Sequence, residues 1–256
     1  MAEQIYRLHY RGQLKEGIPE EEIPAAAEQC LKNVRQAQKQ GRVLTAALYR
    51  WNRMLFFYYE AIGEKLPVRE ASDREQEGDA LIETGEDVQL TCLHPEELLV
   101  PFAPLMQVWP GQQDDRLWVH MYHIYYHSVP ESVGQWRRAA VPEMRRGRIA
   151  FLREDKLFEY VYYHCALVDE GLLQGDKYQS IALHENILFS YFEEPKTMTN
   201  IRKDPEQKSR VIEQWHAVNP KAHFIRQPEG EGLDFMFLPA LFAAGVEEEE
   251  GNGQSG

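Results

Sequence analysis

The hydrophobic and polar positions of this chain follow the same order of features twice. In the first half, an aromatic and β-branched run over residues 41–49 is separated by a short polar break from a second run over 54–60. Residues 176–184 and 187–193 repeat this arrangement in the second half. Both copies contain Ala-Leu, a polar turn and then Leu-Phe-x-Tyr-x-Glu. Runs of this composition around a polar break predict two β-hairpins.

The segments that flank the two hairpins also correspond. Apolar residues at three-to-four spacing predict a helix before each hairpin, over 25–40 and 155–173. A second helix follows each hairpin, over 95–109 and 204–218, with a proline near its first turn. Short strands precede the first helix of each half, at 5–10 and 148–152, and follow the second, at 117–126 and 233–238. The order β-α-β-β-α-β in each half is that of a ferredoxin-like unit.

A ferredoxin-like unit has helices on one sheet face only, so its other face needs a cover. Two such units usually cover each other by packing sheet to sheet. Because both units lie on one chain, we predict an α+β fold in which two tandem ferredoxin-like units form an intramolecular pseudo-dimer of the dimeric α/β-barrel type. A monomer is the simplest expectation, and a homo-oligomer stays open.

The predicted domain organisation follows from the two repeats. The N-terminal half covers residues 1–127 and contains an acidic insertion over 64–87. A connector over 128–146 leads to the C-terminal half, 147–242. The end of the chain, 246–256, combines four glutamates with Gly-Asn-Gly-Gln-Ser-Gly and is predicted to be a disordered acidic tail.

Composition and charge narrow the classes of function. The 256 residues include 41 acidic and 28 basic ones, a net charge of −13, which disfavours binding to nucleic acid or to an anionic membrane. No apolar run approaches the roughly 18 residues that span a bilayer, and the polar start of the chain is not a signal peptide. Cys30, Cys92 and Cys165 are widely spaced and odd in number, which indicates reduced thiols in a cytoplasmic protein.

The second half, from about 148 to 239, resembles the L-rhamnose mutarotase family of dimeric α/β barrels. The resemblance covers about a third of the chain and depends on the order of several features. They are an opening strand at 148–152, Glu159-Tyr160 followed by His164 on a helix, a central hairpin over 177–193, the approach to a tryptophan at 211–215 and a closing strand at 233–238.

The resemblance implies a cofactor-free mutarotase, an isomerase that interconverts the anomers of a small-molecule sugar. This reaction moves one proton off the anomeric hydroxyl and another onto the ring oxygen, which suits a group that titrates near pH 7. By resemblance, His164 is the catalytic acid and base. Tyr160 is its catalytic partner, one helical turn away on the same face.

The resemblance also implies a set of substrate-binding residues. Trp215 would stack on the sugar, and His216 stands where the family has a second tryptophan. Tyr163 and His184 are weaker candidates from the same region. In the first half, the position that matches His164 falls at Gln29 or Cys30, so that half is expected to be a structural partner.

Three histidines, His120, His123 and His127, raise the question of a metal site. If 117–126 is a strand, His120 and His123 face opposite sides of the sheet. His123 and His127 would share a face about 13 Å apart, too far for one ion. No metal site is therefore expected at these histidines, and the resemblance to a cofactor-free mutarotase implies no other cofactor. A basic cluster around the connector, at 137–138, 145–146 and 148, favours a solvated linker over an anion site.

Two alternatives belong to other classes of protein. One is a non-catalytic sugar-binding or structural protein that keeps the fold. The other is a small-molecule oxygenase or haem-handling protein, since such activities also occur in paired ferredoxin-like barrels.

Overall fold

A computed structural model describes residues 3–64, 93–109 and 116–246. The predicted insertion 64–87 (apart from its first residue) and the tail beyond Val246 lie outside them. In the first half, the elements are β1 (Glu3–Gln13), α1 (Glu22–Lys39), β2 (Val43–Trp51), β3 (Met54–Glu64), α2 (Pro95–Leu98), a 3-10 helix (Val100–Leu105) and β4 (Trp118–Tyr126). Where the sequence predicts one helix over 95–109, two short ones occur, because Pro101 and Pro104 interrupt the backbone hydrogen bonds of a continuous α-helix.

The connector contains α3 (Val133–Trp136) and leads to a second set of elements in the same order. These are β5 (Met144–Leu152), a 3-10 helix (Glu154–Lys156), α4 (Leu157–Glu170), β6 (Leu173–Gln174), β7 (Ser180–His184), β8 (Ile187–Glu194), β9 (Ile201–Arg202), α5 (Arg210–Ala217), 3-10 helices at Pro220–His223 and Pro228–Gly230 with β10 (Phe224–Ile225) between them, β11 (Met236–Leu238) and β12 (Ala240–Gly245). Helix α5 begins at 210 rather than 204, where Ser209 accepts a hydrogen bond from the Ile212 amide and caps it.

The strand order confirms two ferredoxin-like units. The first half has the order β4-β1-β3-β2, and the second has β7-β8-β5-β11, all antiparallel. The halves are joined by pairing of β4 with β7. At the other end, β11 pairs with β5 and the chain continues into β12, which pairs with β2. The curled sheet therefore contains both halves, and segment 236–245 links its two ends.

Alternation along the strands produces an inner core and two outer cores. The inner core combines residues of both halves, among them Tyr49, Phe56, Phe189 and Leu238. The outer core of the first half packs the sheet against α1 and α2, and that of the second half packs it against α4 and α5. Each helix pair thus covers its own sheet, while the two sheets cover each other, as the repeat predicts.

The repeated Leu-Phe-x-Tyr-x-Glu string lies where the two halves meet. Tyr58 and Tyr191 stack with 3.7 Å between ring centroids, and their hydroxyls donate to Glu60 and Glu193 respectively. Arg138 of the connector binds both carboxylates, with 2.9 Å from Nη2 to Glu60 Oε1 and 2.7 Å from Nη2 to Glu193 Oε1. The equivalent residues of the two repeats therefore converge on one arginine.

Within the described residues, no helix is both long enough and apolar enough to cross a bilayer.

Candidate functional site

The three principal residues of the predicted site lie together on the outer face of the second half. Tyr160 and His164 are buried on α4 and stack with 3.8 Å between ring centroids. Trp215 of α5 meets both rings edge-on, at 5.6 Å from Tyr160 and 5.0 Å from His164. Tyr125 of β4 contacts the His164 ring from the sheet, at 5.4 Å. The side chains converge as a packed aromatic cluster.

The environment of His164 keeps its imidazole neutral. Burial lowers the pKa of His164 to about 4, and nearby His223 lowers it further, although hydrogen bonding to the Tyr160 carbonyl opposes the shift. Nδ1 of His164 lies 2.9 Å from that carbonyl oxygen. Burial also raises the pKa of Tyr160 to about 13. Neither group titrates near neutral pH, which the predicted acid–base role requires.

The weaker candidates divide between this cluster and other places. Tyr163 is half-buried and packs on Trp215, with 5.6 Å between ring centroids. His216 is exposed on α5. His184 lies on β7 and contacts the first half instead, with 3.3 Å from its Nδ1 to Arg11 Nη1. The structure thus brings Tyr163 to the cluster, but neither His216 nor His184.

A second group of polar side chains lies on the same sheet face and was not identified from the sequence. Tyr125, Ile181, Ser190 and Arg148 form a cross-strand row, in register across β4, β7, β8 and β5. The Ser190 side chain is fully buried, and its hydroxyl has no hydrogen-bond partner within the described chain. The buried Nε of Arg148 also has none there.

Aromatic rings enclose this pair. The Arg148 guanidinium lies 5.1 Å from the ring centroid of Phe192 and 4.6 Å from that of Phe235. Burial lowers the pKa of Arg148, with a nearby tyrosine, Tyr160, opposing the shift. Arg148 stays partly exposed, so one side of the group reaches solvent. We name Arg148, Ser190, Phe192 and Phe235 the second-half recess.

Three other arginines of the basic cluster pair with carboxylates, whereas the sequence favours a solvated linker. Arg138 is buried between Glu60 and Glu193, Arg145 lies 3.8 Å from Glu193, and Arg146 lies 3.1 Å from Glu194. Among the described residues, Arg148 has no such carboxylate. Spacing along the chain carries no signal for this difference, because the partners come from strands distant in sequence.

The histidines of β4 are separated as a strand requires, with one exception. The rings of His120 and Tyr10 are 5.3 Å apart in the outer region, whereas His123 Nε2 lies 2.7 Å from His9 Nδ1 in the inner region. The pairing register shifts between His123 and Tyr125. His127 therefore follows Tyr125 to the outer face, so the prediction that His123 and His127 share a face is wrong.

Two concavities of the described chain lie away from both groups. A groove of about 400 Å³ is lined by Glu154, Leu157, Phe158, Glu185 and Asn186. A smaller one of about 130 Å³ lies in the first half, beside Ile18 and Arg53. Neither concavity includes a residue of the second-half recess.

Comparison with known proteins gives a weak match to solved structures. No protein-family model and no curated protein matches the sequence. A candidate monooxygenase from Lactobacillus acidophilus is 7% identical, with 94% of this chain and 97% of that chain covered and a TM-score of 0.40. A candidate monooxygenase from Fusobacterium nucleatum is 10% identical, with 96% of each chain covered and a TM-score of 0.34. A chlorite dismutase variant from Candidatus Nitrospira defluvii is 13% identical, with 93% and 92% covered and a TM-score of 0.32. Similarity this low assigns neither a family nor a role.

The matched proteins are nevertheless not mutarotases, and the resemblance to the L-rhamnose mutarotase family is wrong. The isomerase and mutarotase assignments that depended on it are wrong as well. The names of these proteins agree better with the alternative of an oxygenase or haem-handling protein. The residues that suggested the resemblance have packing roles here: Glu159 pairs with Lys156 at the surface, and His164 is enclosed by aromatic rings.

The haem part of that alternative can be tested against the side chains. An axial histidine needs an open slot beside its free ring nitrogen for the porphyrin. His164 has a suitable second bond from Nδ1 to a carbonyl, but its side chain is only 8% exposed and is packed among Tyr160, Trp215 and Tyr125. Neither of the two concavities includes it. The residues around His164 do not fit haem.

Proposed function

We propose that this chain binds a small organic molecule at the second-half recess and belongs to the small-molecule oxygenase class. The observation that carries the proposal is the pair formed by Arg148 Nε and Ser190 Oγ, two buried polar atoms with no hydrogen-bond partner in the described chain. An unsatisfied buried donor or hydroxyl costs about 1–3 kcal/mol. Such a cost is retained where a ligand can supply the missing partner.

The chemistry of the recess supports an electron-rich substrate. A positively charged guanidinium in a partly dry site stabilises negative charge on a bound molecule. The surrounding rings of Phe192 and Phe235 favour an apolar or aromatic body next to the charged group.

Oxygen uptake with a panel of small aromatic acids and phenols tests the oxygenase class. We expect uptake that depends on one member of the panel and is lost in Ser190→Leu, whose larger side chain would occupy the recess. Ala139→Leu, an exposed position on the connector, is the matched control. Binding to wild type and control, together with no oxygen uptake by either, would remove the oxygenase class and leave the binding site.

A non-catalytic binding protein is the second candidate function. The enclosure of His164 favours it, because the imidazole nearest the recess in the aromatic cluster is held neutral and packed. Thermal stabilisation by a ligand without any turnover is the expected result for this candidate.

We make two further proposals, on the quaternary state of the protein and on its location in the cell. We propose a monomer, since the two halves cover each other's inner sheet face within one chain, and a single species of about 30 kDa in light scattering would support it. We also propose a cytoplasmic location, because Cys30 and Cys165 are free thiols.

A further inference from the structure

Two cations share one aromatic ring at the edge of the second-half recess. Lys196 Nζ lies 4.1 Å from the ring centroid of Phe192, and the guanidinium carbon of Arg148 lies 5.1 Å from the same centroid. Burial lowers the pKa of Lys196, and the charge of Arg148 lowers it further. Within the described residues, neither cation forms an ion pair with a carboxylate. The two cations therefore repel each other, and an anion bound near both would relieve that repulsion.

The two acidic side chains that act on Lys196 have other partners, although Asp176 Oδ2 is buried without one in the described chain. Glu194 forms an ion pair with Arg146, 3.1 Å away. Asp176 Oδ1 accepts hydrogen bonds from the backbone amides of Thr197 and Met198, at 3.0 and 3.1 Å. Both acids raise the pKa of Lys196 from a distance. They offset its charge in part and contact neither cation.

The donors that remain have the arrangement of a carboxylate site. Arg148 presents Nε–H, which has no partner, on the edge of its planar guanidinium while aromatic rings lie against it. Ser190 is its cross-strand neighbour and adds an unpaired hydroxyl. Lys196 donates one hydrogen bond to Gln179 Oε1, at 3.1 Å, and an ammonium has two donors left. A guanidinium edge binds the two oxygens of a carboxylate in parallel.

We propose that the ligand of the second-half recess is a small aromatic carboxylic acid, whose carboxylate is bound by Arg148, Ser190 and Lys196. This inference rests on the proposed function and names its substrate class. The partly exposed ring of Phe235 packs against the aromatic body of the ligand. The partial exposure of Arg148 and Lys196 gives the acid its entry from solvent.

Calorimetric titration with three probes of one shape tests the charge requirement. Benzoate is the anionic probe, benzamide its neutral counterpart and phenyl phosphate the alternative anion. We expect benzoate to bind the wild type at least about tenfold more tightly than benzamide, since a hydrogen bond to a charged group contributes roughly a factor of ten or more. Phenyl phosphate should bind more weakly than benzoate because its tetrahedral head group is larger than a planar carboxylate, although a guanidinium fork matches the oxygens of both.

Two substitutions at Arg148 separate charge from shape. Arg148→Met keeps the length and apolar stem, and should weaken benzoate binding roughly 10- to 100-fold while benzamide binding changes by less than about threefold. Arg148→Lys keeps the charge but removes the fork, and should give an intermediate loss. Arg153→Met is the control, because Arg153 is exposed and paired with Asp155 outside the recess.

The outcomes distinguish this inference from the proposed function. Equal binding of benzoate and benzamide by the wild type, with both lost in Ser190→Leu, would overturn the carboxylate and leave the recess as the site. Tighter binding of phenyl phosphate than of benzoate would overturn it in favour of a phosphate ester. Absence of binding by all three probes to folded wild-type protein would overturn both proposals.

Discussion

The two halves of the molecule share a fold but treat one position on the outer sheet face in opposite ways. The repeated string aligns Phe57 of β3 with Ser190 of β8. Phe57 is fully buried against Tyr59, Trp118 and Phe242, and its cross-strand neighbour is Tyr10. The first half therefore fills this part of its sheet with aromatic rings.

The second half leaves the same place polar. Ser190 and its neighbour Arg148 occupy the pair that Phe57 and Tyr10 occupy in the first half. The helices above these positions show the same contrast. Helix α1 has the fully buried Cys30, whereas α4 has the polar imidazole of His164. Identical backbone order thus supports packed aromatic rings at this pair of positions in one half and two unpartnered polar atoms in the other. We therefore expect a substitution at this pair to affect stability more in the first half and ligand binding more in the second.

The largest loss of stability is expected when the first half is changed to resemble the second. Phe57→Ser removes a buried ring and introduces a hydroxyl without a partner, so the free energy of unfolding should fall by at least about 4 kcal/mol. Urea unfolding followed by circular dichroism measures the change. A loss of under about 1 kcal/mol would mean that the two faces are interchangeable and that the comparison is mistaken.

The second largest loss of stability is expected at the contact between the two halves. Arg138→Met leaves Glu60 and Glu193 buried without their cation and should reduce the free energy of unfolding by about 3–5 kcal/mol. Burial by itself raises the pKa of Glu60, but its charge interaction and hydrogen bonds with Arg138 lower it overall. The stabilisation is therefore present above the unfolded pKa near 4.5 and is lost as the pH falls through the folded value.

A triple variant tests whether unpaired buried charge causes the destabilisation of Arg138→Met. Arg138→Met together with Glu60→Gln and Glu193→Gln removes the uncompensated charges and should recover part of the loss. If the triple variant is no more stable than Arg138→Met alone, unpaired charge is not the cause of the destabilisation.

Low pH should reduce the free energy of unfolding through His164 of the second half. Its pKa of about 4 means that the folded protein stays unprotonated there, while the unfolded chain binds a proton below about pH 6.5. The free energy of unfolding must then fall as the pH drops from 6.5 towards 4. His164→Phe should reduce that fall by roughly 1–3 kcal/mol, whereas Cys30→Ala at the corresponding region of α1 should leave the slope unchanged. Thermal unfolding across this pH range distinguishes the two variants.

The smallest effect, and one of opposite sign, is expected at Ser190. Because its hydroxyl has no partner in the described chain, Ser190→Ala should leave the free energy of unfolding unchanged or increase it by up to about 1 kcal/mol. Binding of the ligand should weaken in the same variant. Clear destabilisation in chemical unfolding would show that the hydroxyl contributes to the folded state and not to a ligand.

The fold could be predicted from sequence because the repeated elements are local and their pattern recurs. Strand alternation predicts both hairpins, and the Leu-Phe-x-Tyr-x-Glu string that they share identifies them as equivalent parts of a repeat. The second helix of the first half is shorter than predicted because Pro101 and Pro104 interrupt it, and the effect of a proline on a helix is also local. These features need no knowledge of distant contacts.

The site could be predicted only in part, because its properties depend on which partners are absent. Proximity of Tyr160 and His164 follows from helical spacing, and the packing of Trp215 against them gives the predicted cluster. Arg148, however, is distinguished from Arg138 and Arg146 only by lacking a carboxylate from a distant strand. A slip in register between His123 and Tyr125, which reverses the position of His127, likewise has no marker in the sequence.

The last strand of the chain belongs to the first half by pairing, since β12 bonds to β2 across almost two hundred residues. During translation, β2 is therefore synthesised long before its partner strand β12. Until residues 240–245 emerge, the growing polypeptide presents the unpaired edge of β2, a surface on which other nascent chains could add. Completion of the N-terminal layer must therefore await synthesis of β12, so a chain truncated shortly after Pro239 would keep this edge of β2 unpaired.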